Sequence, residues 1–239
     1  MKVNAAYSYI LFLSLVAAIG GFLFGYDTAV ISGTISEVTG QFSLGAIAQG
    51  WYVGCALLGS IIGVSIAGGL ADKYGRKKVM LLSALLFSVS AIGCALAGTF
   101  NALIVYRIIG GAGIGMVSIV SPMYISEVAP SSIRGSLVSL YQLAITVGFL
   151  GAFLMNFKLL NFAKRKLFEM DTILFKVFNE EVWRGMLGME TIPALLFFLI
   201  LLLIPESTRW LVVNNKMSKA EQVFAKLYSS AESGKQKVK

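Results

Sequence analysis

Two opposite charges stand inside stretches of sequence that otherwise carry none. Eighteen uncharged residues run from Tyr9 to Tyr26, then comes Asp27, and apolar sequence resumes up to Gly33. Arg107 stands in "NALIVYRIIGGAGIG", which has no other charge. A charge near the centre of a membrane helix costs about 2.5–3.5 kcal/mol on insertion scales, and pairing is the usual remedy. If the outer helix ends lie near Gly33 and Ala102, a rise of about 1.5 Å per residue puts the two side chains at depths of roughly 9 and 8 Å. Matched depth and opposite sign predict an ion pair. A titratable acid beside an arginine can exchange a proton as the pair closes and opens. The plain alternative is an interfacial aspartate and an arginine that snorkels. The chain has no histidine, so neither histidine catalysis nor zinc chemistry is expected.

A second set of residues is polar without charge. Gln142, Thr146 and Phe149 follow at i, i+4 and i+7, so they share one helix face. An amide donates and accepts hydrogen bonds, which suits hydroxyl-rich ligands and equally suits joining two membrane helices. Phe24 precedes Asp27 by three residues on the same face. Cys55 and Cys94 have no metal-ligand spacing and read as small apolar core residues.

The elements that position these groups follow from composition. Hydrophobic residues make up 57% of the 239 and charged residues only 13%, about half the share of a soluble domain. Mean hydropathy is +0.80. Six stretches reach the roughly 20 apolar residues that a bilayer crossing needs. They lie near 9–33, 47–70, 79–99, 102–124, 136–157 and 187–204, so the fold class is an all-α membrane protein with six transmembrane helices. The first has no small-residue cleavage site and is not a signal peptide. Between spans two and three "ADKYGRKK" holds four basic residues, and the tail from Pro205 holds seven. The positive-inside rule therefore places both termini in the cytoplasm of a multi-pass cell-membrane protein. The external loop 158–184 disagrees, with six basic and four acidic residues. Within it Leu167, Met170, Leu174 and Phe178 have helical spacing and predict a surface helix. In the tail 205–239, "MSKAEQVFAKLYSS" predicts an amphipathic helix with Ser218 as N-cap, followed by a frayed end. The net charge of +8 faces anionic lipid in this scheme, and no nucleic-acid partner is expected.

Several motifs carry a family resemblance. "GGLADKYGRKK" has Gly68, Asp72, Gly75 and Arg76 in the spacing G-x-x-x-D-[RK]-x-G-R-[RK]-[RK]. On charge alone it could be a simple anchor, but the full spacing resembles the loop joining spans two and three in the major facilitator superfamily. "YRIIGGAGIG", "SPMYISEVAPSSIRG" and "PESTRWL" resemble signatures of its sugar porter branch, and "GYDTAVISG" is similar to the first span of bacterial proton-coupled sugar symporters, the xylose–proton symporters in particular. The resemblance covers nearly the whole chain outside 156–182. The glycine run could suggest a dinucleotide loop, but inside an apolar span it reads as close helix packing.

The resemblance implies the N-terminal half of a twelve-helix carrier, with substrate between two six-span halves and alternating access by rocking. It implies a non-enzymatic function without cofactor or metal: transport of a monosaccharide, pentose or hexose, coupled to protons. It implies a C-terminal six-helix half as partner, which this chain does not contain. Asp27 and Arg107 match the coupling pair, and Phe24 and Gln142 match sugar contacts. Phe149 departs from the xylose symporters, which have a second glutamine there. Glu127, Arg134, Glu206 and Arg209 match charges that link helix ends when the carrier opens outward, and Glu190 matches a family acid of structural role. The alternatives are passive sugar facilitation, with Asp27 structural, and a non-transporting remnant or membrane sensor.

Overall fold

The computed structural model describes residues 2–164 and 175–228, with side chains from Tyr7 to Leu227 except that of Lys176. Among them every regular element is helical. The long helices are α1 (Lys2–Phe42), α2 (Ala46–Tyr74), α3 (Arg76–Leu96), α4 (Phe100–Val128) and α5 (Arg134–Ala163). A π-helical turn, Lys176–Glu180, precedes α6 (Val182–Gly188) and α7 (Thr191–Leu203), and two short helices follow, α8 (Thr208–Val213) and α9 (Met217–Tyr228). Among the described residues six segments are long and apolar enough to cross a membrane, the last being Val182–Leu203.

Local chemistry sets the breaks. Gly75 adopts φ +100° between α2 and α3, a conformation that side-chain-bearing residues rarely take. Thr99 caps α4 by accepting a hydrogen bond on its hydroxyl from the Ala102 N–H, 3.3 Å. The sixth span, expected over 187–204, begins at Val182 and is interrupted at Met189–Glu190. Pro193 has no N–H to give Met189, and the carbonyl of Met189 instead accepts from Ile192 at 3.3 Å. The helix is broken there, and Glu190 at the break is buried.

The helices pair closely. α2 runs along α4 and α1 along α5, while α3 and α7 close the bundle. The glycine run does what its apolar setting predicts. A Cβ on Gly111 would lie 2.0 Å from the carbonyl oxygen of Ala56, and one on Gly115 would lie 2.1 Å from that of Ser60. Backbone therefore meets backbone along the α2–α4 seam. Two apolar clusters fill the interior. One gathers Leu13, Met80, Tyr124 and Phe197 and reaches Trp210 in the tail. The other gathers Val38, Tyr52, Leu103, Trp183 and Met186 at the opposite end. Outward faces are apolar, as in Ile47, Leu57, Leu143 and Leu199, which suits lipid contact.

Some expectations change at the connections. α1 continues nine residues past Gly33 to Phe42, and α5 extends to Ala163. Of the surface helix expected around Leu167, Met170, Leu174 and Phe178, the first three lie outside the described residues. Phe178 sits in the π-helical turn, 6.5 Å edge-on to Phe162. α9 starts at Met217, and the Ala220 N–H donates to the carbonyl of Lys216, so Ser218 is inside the helix and not its N-cap. Val223 and Leu227 are buried, as the amphipathic pattern predicts. The end of the tail, 229–239, lies outside the described residues.

Candidate functional site

The paired charges meet. Arg107 of α4 donates from Nη1 to Asp27 Oδ1 of α1 at 2.5 Å, and both residues are only 3% exposed. Snorkelling is thereby set aside: the guanidinium points into the bundle. With both carboxyls of the site ionised, Asp27 Oδ2 and Arg107 Nε have no hydrogen-bond partner among the described residues. Glu190, 4% exposed, brings a second carboxyl within hydrogen-bonding reach of that of Asp27, so one proton between them would join the two; its Oε1 has no other partner among the described residues. The hydroxyl of Tyr26, within electrostatic reach of Glu190, is a further buried polar atom without a partner among the described residues. Buried polar atoms are almost always satisfied in folded proteins. Here they gather around one ion pair.

Packing holds this group from several sides. Gly25 lets α1 lie against α5, since a Cβ there would be 2.0 Å from the carbonyl oxygen of Ile145. Asn156 of α5 donates to the Val30 carbonyl at 3.1 Å, just above the acid. Tyr52 and Thr34 join their hydroxyls at 2.7 Å. The free thiols of Cys55 and Cys94 are buried in the lining near Arg107. No group of side chains suited to a metal ion occurs among the described residues.

The polar face of α5 is arranged differently. Gln142 and Thr146 are exposed, and Thr146 Oγ1 bonds only back to the Gln142 carbonyl, 3.4 Å. Among the described residues no hydrogen bond leaves the Gln142 side chain, so it does not join two helices of this bundle. Phe24 is half-buried against the first apolar cluster. Phe149 is half-buried at the junction of both clusters, so its ring is also a packing element.

At the end rich in lysine and arginine, the motif residues form a joint between α3 and the tail. Arg76 is buried; its guanidinium binds Glu127 at 3.1 Å, Asp72 at 3.2 Å and the Ala71 carbonyl at 2.9 Å. Glu206 Oε1 accepts from the backbone N–H groups of Arg76, Lys77 and Ser207 at 2.9, 3.1 and 2.8 Å. A carboxylate is thus seated on the N-terminus of α3, where helix-end N–H groups favour an anion. Burial still pushes the Glu206 carboxyl above its ordinary range, against the opposing pull of those N–H groups. Gly75 makes room: a Cβ there would be 2.1 Å from Glu206 Oε2. Ser207 donates its hydroxyl to Glu127, and Trp210 donates to the Asp72 carbonyl at 2.7 Å. Arg134 and Arg209 are exposed; they flank Glu127 along a cleft and make no ion pair among the described residues. Around Gly68 a Cβ would meet nothing within 4 Å, so this bundle does not itself require that glycine.

The opposite end holds features that sequence reading passed over. Arg184 had counted only as one of the charges of an external loop. It is 6% exposed and donates to the carbonyls of Ala97 and Ala95, 2.5 and 3.1 Å, at the C-terminus of α3. A cation at a helix C-terminus is a favourable cap. Glu181 binds Arg184 and accepts from Gln41 at 2.6 Å, and Gln41 in turn accepts from Trp183 at 2.6 Å. The only sequence hint was an arginine adjoining an apolar run.

Comparison with known proteins gives consistent matches. Residues 13–239 match the family model described as "Sugar (and other) transporter". The chain is 40% identical over 219 residues to the arabinose-proton symporter of Bacillus subtilis (strain 168), covering 92% of this chain and 45% of that protein. It is 38% identical over 246 residues to the D-xylose-proton symporter of Escherichia coli (strain K12), covering 92% and 48%. Among solved structures, the proton:xylose symporter XylE bound to 6-bromo-6-deoxy-D-glucose superposes with a TM-score of 0.86 at 36% identity, covering 97% of this chain and 52% of that one. The chain thus spans about half the length of the curated relatives it matches.

Proposed function

The chain belongs to the sugar transporter family of the major facilitator superfamily, and from that premise we propose that it forms the N-terminal, proton-coupling half of a sugar symporter. The observation that carries this reading is the buried pair of Asp27 and Arg107 with Glu190 beside it. Two carboxyls and one guanidinium balance in charge when one proton is present, and a buried unbalanced charge is expensive. Loss of that proton leaves a net negative group that an opening to water would solvate. Proton release and conformational change then share one free energy, which is what coupling requires. Names of relatives agree, since the arabinose, xylose and galactose proteins are described as proton symporters. Gln142 and Thr146, exposed on α5, are proposed to face the sugar, with Phe24 and Phe149 as aromatic walls. Arg134 and Arg209 are proposed to pair with charges of a second six-helix half. In this reading the lysine-rich end and both termini are cytoplasmic.

The test needs a carrier in which this half is joined to a second. Asp27→Asn keeps the size of the side chain but can neither titrate nor neutralise Arg107. It is expected to abolish proton-driven accumulation in vesicles while sugar binding and downhill exchange persist. Wild-type accumulation in Asp27→Asn would sink the assignment. Passive transport unaffected by a proton gradient in the unaltered carrier would favour a facilitator.

A further inference from the structure

The tail does more than follow the sixth span. Helix α9 lies beside the start of α3, and a cleft of about 620 Å³ opens between them. Lys77 and Lys78 of α3 line one side, and Lys216, Lys219 and Lys226 of the tail line the other. Among the described residues, none of the five makes an ion pair. Lys77 Nζ donates to the Leu202 carbonyl at 2.9 Å, and Lys216 stands 4.2 Å over the Trp210 ring. The one acid in the lining, Glu206, already has Oε1 committed to three backbone N–H groups. Its carboxylate attracts Lys77 but is a single negative charge among five lysines, and the excess of positive charge is costly to assemble. It calls for an anion with several acceptor oxygens.

The shape of the cleft says which anion. Its floor includes Leu81 of α3 and Leu202 of α7, both within segments long and apolar enough to span a bilayer. The site therefore runs from the charged tail to the apolar belt, with Trp210 at its wall. A soluble phosphate would leave Leu81 and Leu202 unmatched. An acidic phospholipid satisfies both parts, its phosphate among the lysines and its acyl chain along the leucines. We propose that this cleft seats the headgroup of an acidic phospholipid, which bridges α9 to α3. Basic pockets at the ends of membrane helices are suited to such headgroups, and each lysine near the surface adds to the attraction. The proposal needs the bundle to be in a bilayer and is independent of whether it transports anything.

The experiment is lipid retention by the purified, delipidated chain, read by native mass spectrometry with added dioleoylphosphatidylglycerol or dioleoylphosphatidylcholine. Phosphatidylglycerol is expected to bind at least about tenfold more tightly, falling as salt rises. Lys216→Gln/Lys219→Gln/Lys226→Gln should erase the preference, and the corresponding triple arginine variant should keep it. Lys158→Gln/Lys164→Gln, at the other end of α5, should leave it unchanged. A measurement without these lysine variants uses Trp51→Phe protein, which keeps Trp183 in the far cluster and Trp210 at the cleft: brominated phosphatidylglycerol should quench fluorescence more than brominated phosphatidylcholine, and adding Trp210→Phe should remove the difference. Equal retention of the two lipids overturns the proposal, as does a preference that survives the triple glutamine variant. Displacement of the lipid by equimolar glycerol phosphate would make this a soluble-anion site and overturn it as well.

Discussion

Asp27 and Arg107 show how far a single charge in apolar sequence can be read. Each had to find a partner, depth matched them, and the structure joins them at 2.5 Å. Removing one member of a buried pair leaves the other without compensation, which typically costs about 3–5 kcal/mol. Arg107→Ala is therefore expected to lower the thermal stability of the detergent-solubilised chain by that order. Adding Asp27→Asn should restore part of the loss, a non-additivity that a double-mutant cycle measures. Strict additivity would mean that the two side chains do not interact in solution. Glu190 was far less legible. Its place opposite Asp27 lies at the helix break before Pro193, and no spacing rule relates a residue in span six to one in span one. Gln142 was legible as a polar residue on a helix face, whereas its exposure depends on which neighbours pack beside α5. Arg184 was hidden for a third reason. Its partners are the carbonyls of Ala95 and Ala97, and backbone acceptors leave no mark in a sequence.

At the scale of elements, the apolar runs located all six crossings but not their full lengths. Hydropathy stops where polar residues begin, near Gly33 in α1, yet Thr34 and Val38 beyond it remain buried against the far cluster. The joint at Gly75 was visible as a turn, while the use of Glu206 as a cap for α3 was not, because it spans 130 positions. This joint should respond to pH. Burial raises the Glu206 carboxyl above its ordinary value of 4.5. The folded state thus holds the proton more tightly than the unfolded chain. Its stabilising contribution is complete below pH 4.5 and is lost as pH rises through the elevated folded value. The thermal transition of the wild-type chain is expected to shift downward over that window. Glu206→Gln keeps an acceptor for the α3 N–H groups and should flatten the profile there. An unchanged slope in the variant would assign the pH dependence to another group.

For the molecule as a whole, the open faces matter most. Gln142 and Thr146 are exposed, Arg134 and Arg209 stand unpaired among the described residues, and the chain spans about half of its relatives. One wall of a binding site binds weakly, because a ligand on it keeps most of its surface in contact with solvent. The chain reconstituted by itself in vesicles with an imposed proton gradient is expected to show no saturable aldose uptake; gradient-dependent accumulation would refute this. The seam between α2 and α4 has a mechanical meaning. Where Gly111 and Gly115 bring one backbone onto the other, no layer of side chains is left to slide or change rotamer. Such a contact resists sliding of α2 along α4, whereas toward the Arg76–Glu127 end α4 carries Pro122 inside the helix, where a backbone hydrogen bond is missing and bending is easier. The seam is thus the stiff part of the pair, Arg107 lies about one turn beyond Gly111 toward the start of α4, and articulation falls to Pro122 and to the joints at the helix ends.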